Sequence, residues 1–174
     1  MKRFTVLTAF AFLLAAAVPL SSQAQFKVGP RATIDVSDID AFAIGGDVRY
    51  DLSQVEAPIQ LSGAFDYYFA DDVVIGTEEV SQTIFTVDLN GHYMIPTEGA
   101  IAPYAGAGIG ITSVSFDIDT PIGNVGGDDT DIGLNLVGGI EFQAGSVRPF
   151  AQGQFTVGGD FDRFGITGGI LFAL

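Results

Sequence analysis

A two-residue alternation of apolar and polar side chains runs through most of this chain, and it limits the fold more than any other feature. In residues 42–52, Phe42, Ile44, Val48, Tyr50 and Leu52 share one face, while Asp47, Arg49 and Asp51 share the other. A strand puts successive side chains on opposite faces, so this segment is a strand with one apolar and one charged side. The pattern recurs in residues 26–36, 42–52, 59–69, 83–95, 101–118, 132–144, 147–157 and 163–174. A small soluble sandwich or barrel would show the same alternation with its apolar faces turned inward. Here the polar faces carry charges of both signs and many glycines, and the aromatic residues gather near strand ends. That combination predicts the inverse arrangement, apolar outside and polar inside.

The start of the chain has a different character. Lys2 and Arg3 precede an apolar run over residues 4–18, Pro19 interrupts it, and Ser22-Gln23-Ala24 offers small residues where a signal peptidase reads. This predicts a cleaved signal peptide over residues 1–24. A membrane-anchoring helix is the alternative, but the run falls short of the ~20 residues that a span needs. Residues 25–174 then read as one domain. Apolar residues make up 48% of the chain, yet no run after the leader approaches the length of a spanning helix. Backbone groups in lipid must be paired internally, which leaves a closed barrel. The expected fold is all-β: an eight-stranded antiparallel up-and-down transmembrane β-barrel, exported to the cell outer membrane and surrounded by its lipid.

Composition excludes several other classes. The chain has no Cys, so disulfides, thiolate metal sites and a lipid-modified cysteine anchor are ruled out. Its formal charge is −14 and becomes more negative once Lys2 and Arg3 leave, which makes it a poor nucleic-acid binder.

The connections alternate in length. Residues 53–58, 96–100 and 145–146 are short and are expected on the periplasmic side. Residues 37–41, 70–82, 119–130 and 158–162 are expected outside, and two of these are long, as in outer-membrane barrels. The outward aromatics form two bands. Phe26, Tyr50, Tyr93, Phe142 and Phe172 lie near the periplasmic ends, and Phe42, Tyr67, Phe69, Phe85, Phe116, Phe155 and Phe164 lie towards the outer ends. In residues 101–118 outward Ile109 and Ile111 hand over to Phe116 and Ile118, which predicts a bulge near Ser113.

The run Pro103-Tyr104-Ala105-Gly106-Ala107-Gly108-Ile109-Gly110 resembles the PYxGxGxG strand of small OmpA/OmpX-like outer-membrane barrels. The ending Gly168-Gly169-Ile170-Leu171-Phe172-Ala173-Leu174 is similar to that family's C-terminal signal, with Leu where Phe commonly stands last. The resemblance implies a barrel, and it implies that Phe172 and Leu174 are read by the barrel-assembly machinery. It names no ligand.

In this register Lys27, Arg31, Arg49, Arg148 and Arg163 all face inward, as do Asp35, Asp47, Asp51, Asp66, Asp88 and Glu141. An eight-stranded barrel is just wide enough for side chains to fill, and buried charges must pair. The expectation is an internal ion-pair network that plugs the lumen; a narrow path for ions or small solutes is the alternative. His92 also faces inward. It has no second His or Cys for a metal, and periodicity places no Ser beside it for catalysis, so it reads as a hydrogen-bonding lumen residue. Lipid A deacylases are barrels of similar size, but their lipid-facing His-Ser pair is not visible here.

The glycines at 106, 108, 110, 138, 139, 168 and 169 lie inside strands with no helix following, so a dinucleotide loop fails its context. The external connections hold Asp38, Asp40, Asp71, Asp72, Glu78, Glu79, Asp117, Asp119, Asp128, Asp129, Asp131, Asp160 and Asp162, with no Lys or Arg before Arg163. They read as a solvated, repulsive surface. The sharper reading is a divalent-cation loop built on Asp128, Asp129 and Asp131, although the spacing is not that of an EF-hand. The expected function is therefore non-enzymatic: membrane integrity, or contact with an unidentified external ligand, by a monomer that needs no cofactor.

Overall fold

The computed structural model describes residues 26–37, 39–52, 58–70, 73–75, 78–120, 123–159 and 162–174, so the expected signal peptide lies outside the described residues. The strands are β1 (Phe26–Asp35), β2 (Phe42–Asp51), β3 (Ile59–Phe69), β4 (Val73–Ile75), β5 (Glu78–Met94), β6 (Ile101–Thr120), β7 (Gly123–Phe142), β8 (Val147–Val157) and β9 (Arg163–Ala173). Every pairing is antiparallel. The order is β3-β2-β1-β9-β8-β7-β6-β5, and β3 pairs with β5 to close the ring. The result is an eight-stranded barrel, with the short β4 outside the ring on the first residues of β5. At the seam, β1 and β9 pair from Lys27↔Ala173 to Asp35↔Gly165, and Leu174 N donates to Phe26 O at 2.9 Å. Closure leaves no open sheet edge within the wall, the condition for a sheet to sit in lipid.

The faces sort as the alternation predicts. Ile132 and Leu134 are each 61% exposed, whereas Asp47 and Arg49 are 0% exposed. This inverts a soluble protein and is stable only where lipid covers the outside. Outward aromatics meet at both ends of the wall. Phe26 and Tyr50 lie 4.8 Å apart at one end, and Phe42 and Phe69 lie 6.2 Å apart at the other.

Two expectations are corrected. The register of β6 runs unbroken from Met94↔Tyr104 to Val80↔Ile118 on one side and from Ile101↔Phe142 to Thr120↔Gly123 on the other, so no bulge occurs at Ser113. Val114 and Phe116 stay on the inward row. Val114 packs with buried Ala43, Tyr68 and Ile84 at the mouth, and the Phe116 ring lies over Gly127. The inward row turns apolar there because it has left the charged layers, not because the strand changes phase.

The second correction concerns the loops. Much of 70–82 and 119–130 is strand: β4 and the start of β5 occupy the first, and the ends of β6 and β7 the second. Gly and Asp have low strand propensity, but a hairpin already in register continues its ladder beyond the rest of the barrel wall.

The glycine run on β6 has a steric cause. Gly106, Gly108 and Gly110 stand directly opposite His92, Asn90 and Asp88 of β5. A Cβ on Gly106 would lie 2.7 Å from His92 Cδ2, and one on Gly110 would lie 2.8 Å from Asp88 Oδ1. The stripe lets bulky polar side chains of β5 lie across the lumen.

Candidate functional site

Strand parity places the charges. Lys27 and Arg31 come from β1, Arg49 from β2, Arg148 from β8 and Arg163 from β9, which are consecutive in the ring. Glu141 comes from β7, Asp88 from β5 and Asp66 from β3, so several pairs reach across the lumen.

At the end with the short turns, Glu141 gathers cations. Its Oε1 lies 2.8 Å from Lys27 Nζ and 3.4 Å from Arg148 Nη1, and its Oε2 lies 3.8 Å from Arg49 Nη1. Lys27 also meets half-buried Asp51, at 3.1 Å. One layer further in, Arg49 Nη2 lies 3.0 Å from Asp47 Oδ2 and donates to Gln152 Oε1 at 3.2 Å. The Arg49 guanidinium sits 4.1 Å from the Phe150 ring centre and 5.2 Å from that of Tyr104. Arg31 then joins Asp66 at 2.9 Å and approaches Asp47 at 3.8 Å. Nearest the hairpin end, Arg163 Nη2 lies 3.2 Å from Asp88 Oδ1, and Asn135 Nδ2 donates to the same oxygen at 3.0 Å. Apart from Asp51 and Arg148, these charged groups are buried, so each needs a partner to offset its desolvation.

Asp35 differs from the rest. Its Oδ1 accepts from Ser37 N at 3.0 Å and Ser37 Oγ at 2.7 Å, and Phe164 N donates to Ser37 Oγ at 2.8 Å. These bonds tie the chain after β1 to the start of β9. Ile39, Ala41, Ala70 and Val114 pack on buried Ala43, Tyr68 and Ile84 to form an apolar cluster at the hairpin end.

Space between these layers is small. A cavity of about 10 Å³, lined by Arg31, Asp35, Asp66, Tyr68, Asp88 and Arg163 among others, leaves room for about one water. At the short-turn end a bowl of about 550 Å³ is lined by Lys27, Asp51, Glu141 and Arg148 with neighbours.

Sequence reasoning missed the neutral members. Tyr104 Oη donates to Gln152 Oε1 at 2.9 Å, Gln60 Nε2 to Asp51 Oδ1 at 2.7 Å, and Thr156 Oγ1 to Asn135 Oδ1 at 2.8 Å. All share the inward parity of the charges, which was the available signal. His92 stacks on Tyr104 at 4.7 Å, and its Nδ1 lies 3.4 Å from Gln60 Oε1. These contacts supply no nucleophile.

Asp128, Asp129 and Asp131 lie on β7 rather than in a loop. Asp128 accepts from Ser115 Oγ at 2.9 Å, and Asp129 Oδ1 accepts from Thr130 N at 2.9 Å. Successive strand residues point to opposite faces, so Asp128 is separated from Asp129 and Asp131. Among the described residues, no group of three or more His, Asp or Glu could hold a metal ion.

Comparison with known proteins agrees with this architecture. The family model described as outer membrane protein beta-barrel domain matches residues 5–170. Among curated proteins, none matches the chain in sequence. Among solved structures, it is similar to the N-terminal β-barrel domain of Pseudomonas aeruginosa OprF, with TM-score 0.65, 17% identity, and 88% of this chain and 100% of that one covered. It is also similar to Neisserial surface protein A, with TM-score 0.60, 14% identity, and coverage of 86% and 97%. The attachment invasion locus protein Ail of Yersinia pestis gives TM-score 0.56, 12% identity, and coverage of 86% and 96%. At these identities the likeness is one of fold.

Proposed function

The chain belongs to the family of outer membrane protein beta-barrel domains, and from that premise we infer that it is a non-enzymatic barrel with a plugged lumen. On this reading the acidic hairpin end faces out of the cell, and the protein serves membrane integrity or surface contact. The observation that carries the plug is a pair of ionic links between strands four places apart in a ring of eight: Arg163 on β9 with Asp88 on β5, and Arg49 on β2 with Glu141 on β7. Side chains that meet from opposite walls leave little room between them. The apolar cluster around Tyr68 supports the same reading from the hairpin end.

A narrow solute path is the second reading, favoured by the bowl at the short-turn end. It requires these cross-lumen pairs to part. Surface contact is assigned to the hairpin end because residues 37–41, 70–82, 119–130 and 158–162 carry acids and no base. An anionic ligand is therefore disfavoured, in contrast to Ail, which has been crystallised with the heparin analogue sucrose octasulfate.

The orientation also implies a leader over residues 1–24, removed on export. It implies insertion as a monomer by the barrel-assembly machinery, acting on the strand that ends in Phe172 and Leu174. Epitope tags placed in 70–82 or 119–130 test the orientation. Labelling of both in intact cells, with a tag in 96–100 labelled only after permeabilisation, is the expected result. The reverse pattern would invert the topology and remove the surface role.

A further inference from the structure

Two charged members of the lumen network are open, and their charges are opposite. The Asp51 side chain is 36% exposed and that of Arg148 25%, whereas every other charged side chain in these ion pairs is at most 4% exposed. Both line the bowl at the short-turn end. Buried Glu141 and Lys27 join them in a row. Arg148 Nη1 lies 3.4 Å from Glu141 Oε1, which lies 2.8 Å from Lys27 Nζ, which lies 3.1 Å from Asp51 Oδ2. Consecutive contacts share an atom, so the two ends of the row are at most about 9 Å apart. An ammonium and a carboxylate on one carbon reach across such a gap with one hydrogen bond of about 3 Å at each end.

Both ends keep binding capacity. Arg148 donates through Nε to Gly145 O and through Nη1 to Glu141, and its Nη2 has no partner among the described residues. Asp51 Oδ1 takes the Gln60 amide, and Oδ2 meets Lys27 alone among them. A carboxylate oxygen has room for a second donor. A ligand with one charge only would meet a like charge at the far end of the row, because each end presents the opposite sign. Pro58, Met94, Pro96 and Ala102 also line the bowl, from the ends of the adjacent strands β3, β5 and β6. They offer an apolar side next to the charged row. A volume of about 550 Å³ is within the range of small-molecule sites.

We propose that this bowl binds a free α-amino acid with an apolar side chain. Arg148 takes the carboxylate, Asp51 takes the ammonium, and the side chain lies towards Met94. Behind the row, Arg49 is held by Asp47 and approaches Glu141 at 3.8 Å, so the bowl ends at the plug and binding parts no pair across the lumen. The site does not depend on which end of the barrel faces outward.

The test uses the full barrel in lipid nanodiscs, with leucine as probe and the methyl resonance of Met94, one of two methionines in the chain, as reporter. Leucine is expected to shift that resonance with a Kd of the order of 1 mM. Leucinamide lacks the carboxylate and N-acetyl-leucine the ammonium, and each is expected to bind about tenfold more weakly. Glycine lacks the apolar arm and is also expected to bind about tenfold more weakly. No shift with leucine up to about 50 mM overturns the site. Leucinamide binding as well as leucine overturns the part given to Arg148, and N-acetyl-leucine doing so overturns that of Asp51. Glycine binding as well as leucine overturns the apolar side. Arg148→Gln is expected to weaken leucine about tenfold and to leave leucinamide unchanged. An equal loss for both ligands would show that Arg148 acts on the shape of the bowl and overturn its direct contact.

Discussion

Arg163 and Asp88 stand on strands that face each other across the barrel, and 3.2 Å separates Nη2 of one from Oδ1 of the other. Both are nearly inaccessible to solvent, at 3% and 2% exposed. Arg163→Ala leaves Asp88 with the Asn135 amide but no cation within ion-pair distance. Removing one partner of a buried pair costs about 3–5 kcal/mol. Adding Asp88→Asn to Arg163→Ala is expected to restore part of that loss. Equilibrium urea unfolding in lipid vesicles measures the cycle, and additive losses in the two single variants would mean that the pair is not coupled.

Glu141 gives a second, ordered expectation. Arg148 is a quarter exposed and stands at 3.4 Å, whereas Lys27 is buried and stands at 2.8 Å. Arg148→Ala leaves Glu141 neutralised by Lys27, so its cost is expected to be within about 1 kcal/mol. Lys27→Met removes the closer, desolvated partner and is expected to cost more, of the order of 3 kcal/mol. The same unfolding assay ranks them, and a larger loss for Arg148→Ala would contradict the hub geometry.

The glycine stripe separates room from crowding. A Cβ on Gly108 would run into the Leu89 carbonyl oxygen and Asn90 Oδ1, and a backbone oxygen cannot rotate away. Gly108→Ala is expected to cost about 1–3 kcal/mol through overpacking. Gly138 has nothing within 4 Å of such a Cβ, so Gly138→Ala is expected to stay within about 0.5 kcal/mol of the parent. Thermal melts of both variants in the same detergent compare them; equal stability would show that β6 shifts to absorb the methyl.

The seam makes assembly depend on the last residues. Phe172 pairs with both Val28 and Val147, and Leu174 N bonds to Phe26 O. Deleting residues 172–174 leaves unpaired backbone where β1 must close the ring, a cost of several kcal/mol per group in lipid. The truncated chain is expected to lose the heat-modifiable gel mobility of an inserted barrel. Retained mobility would show that the seam tolerates an open end.

Much of the barrel was legible in the sequence because alternation leaves little choice of face. Arg49, Glu141 and Arg148 were placed inward by parity alone. Tyr104, Gln152 and Asn135 were passed over because neutral side chains raise no charge-pairing question, although their parity was the same. Phe116 was misplaced for a different reason. An apolar residue on the polar row suggested a shifted strand, when the row itself had run past the charged layers: Val114 reaches the apolar cluster at the mouth, and Phe116 beyond it is exposed over Gly127. The extension of β6 and β7 was hidden by Gly and Asp, which favour turns in isolation but do not stop a hairpin already in register.

Single-channel recording in planar bilayers tests the plugged lumen most directly. The purified barrel is inserted, voltage is applied in both directions, and a conducting porin is added afterwards to show that the bilayer reports channels. The expected trace shows no unitary steps from the barrel at any voltage, because ion pairs between opposite walls and the apolar cluster at the mouth obstruct the path. Reproducible steps from the unmodified barrel would contradict it and favour the narrow channel.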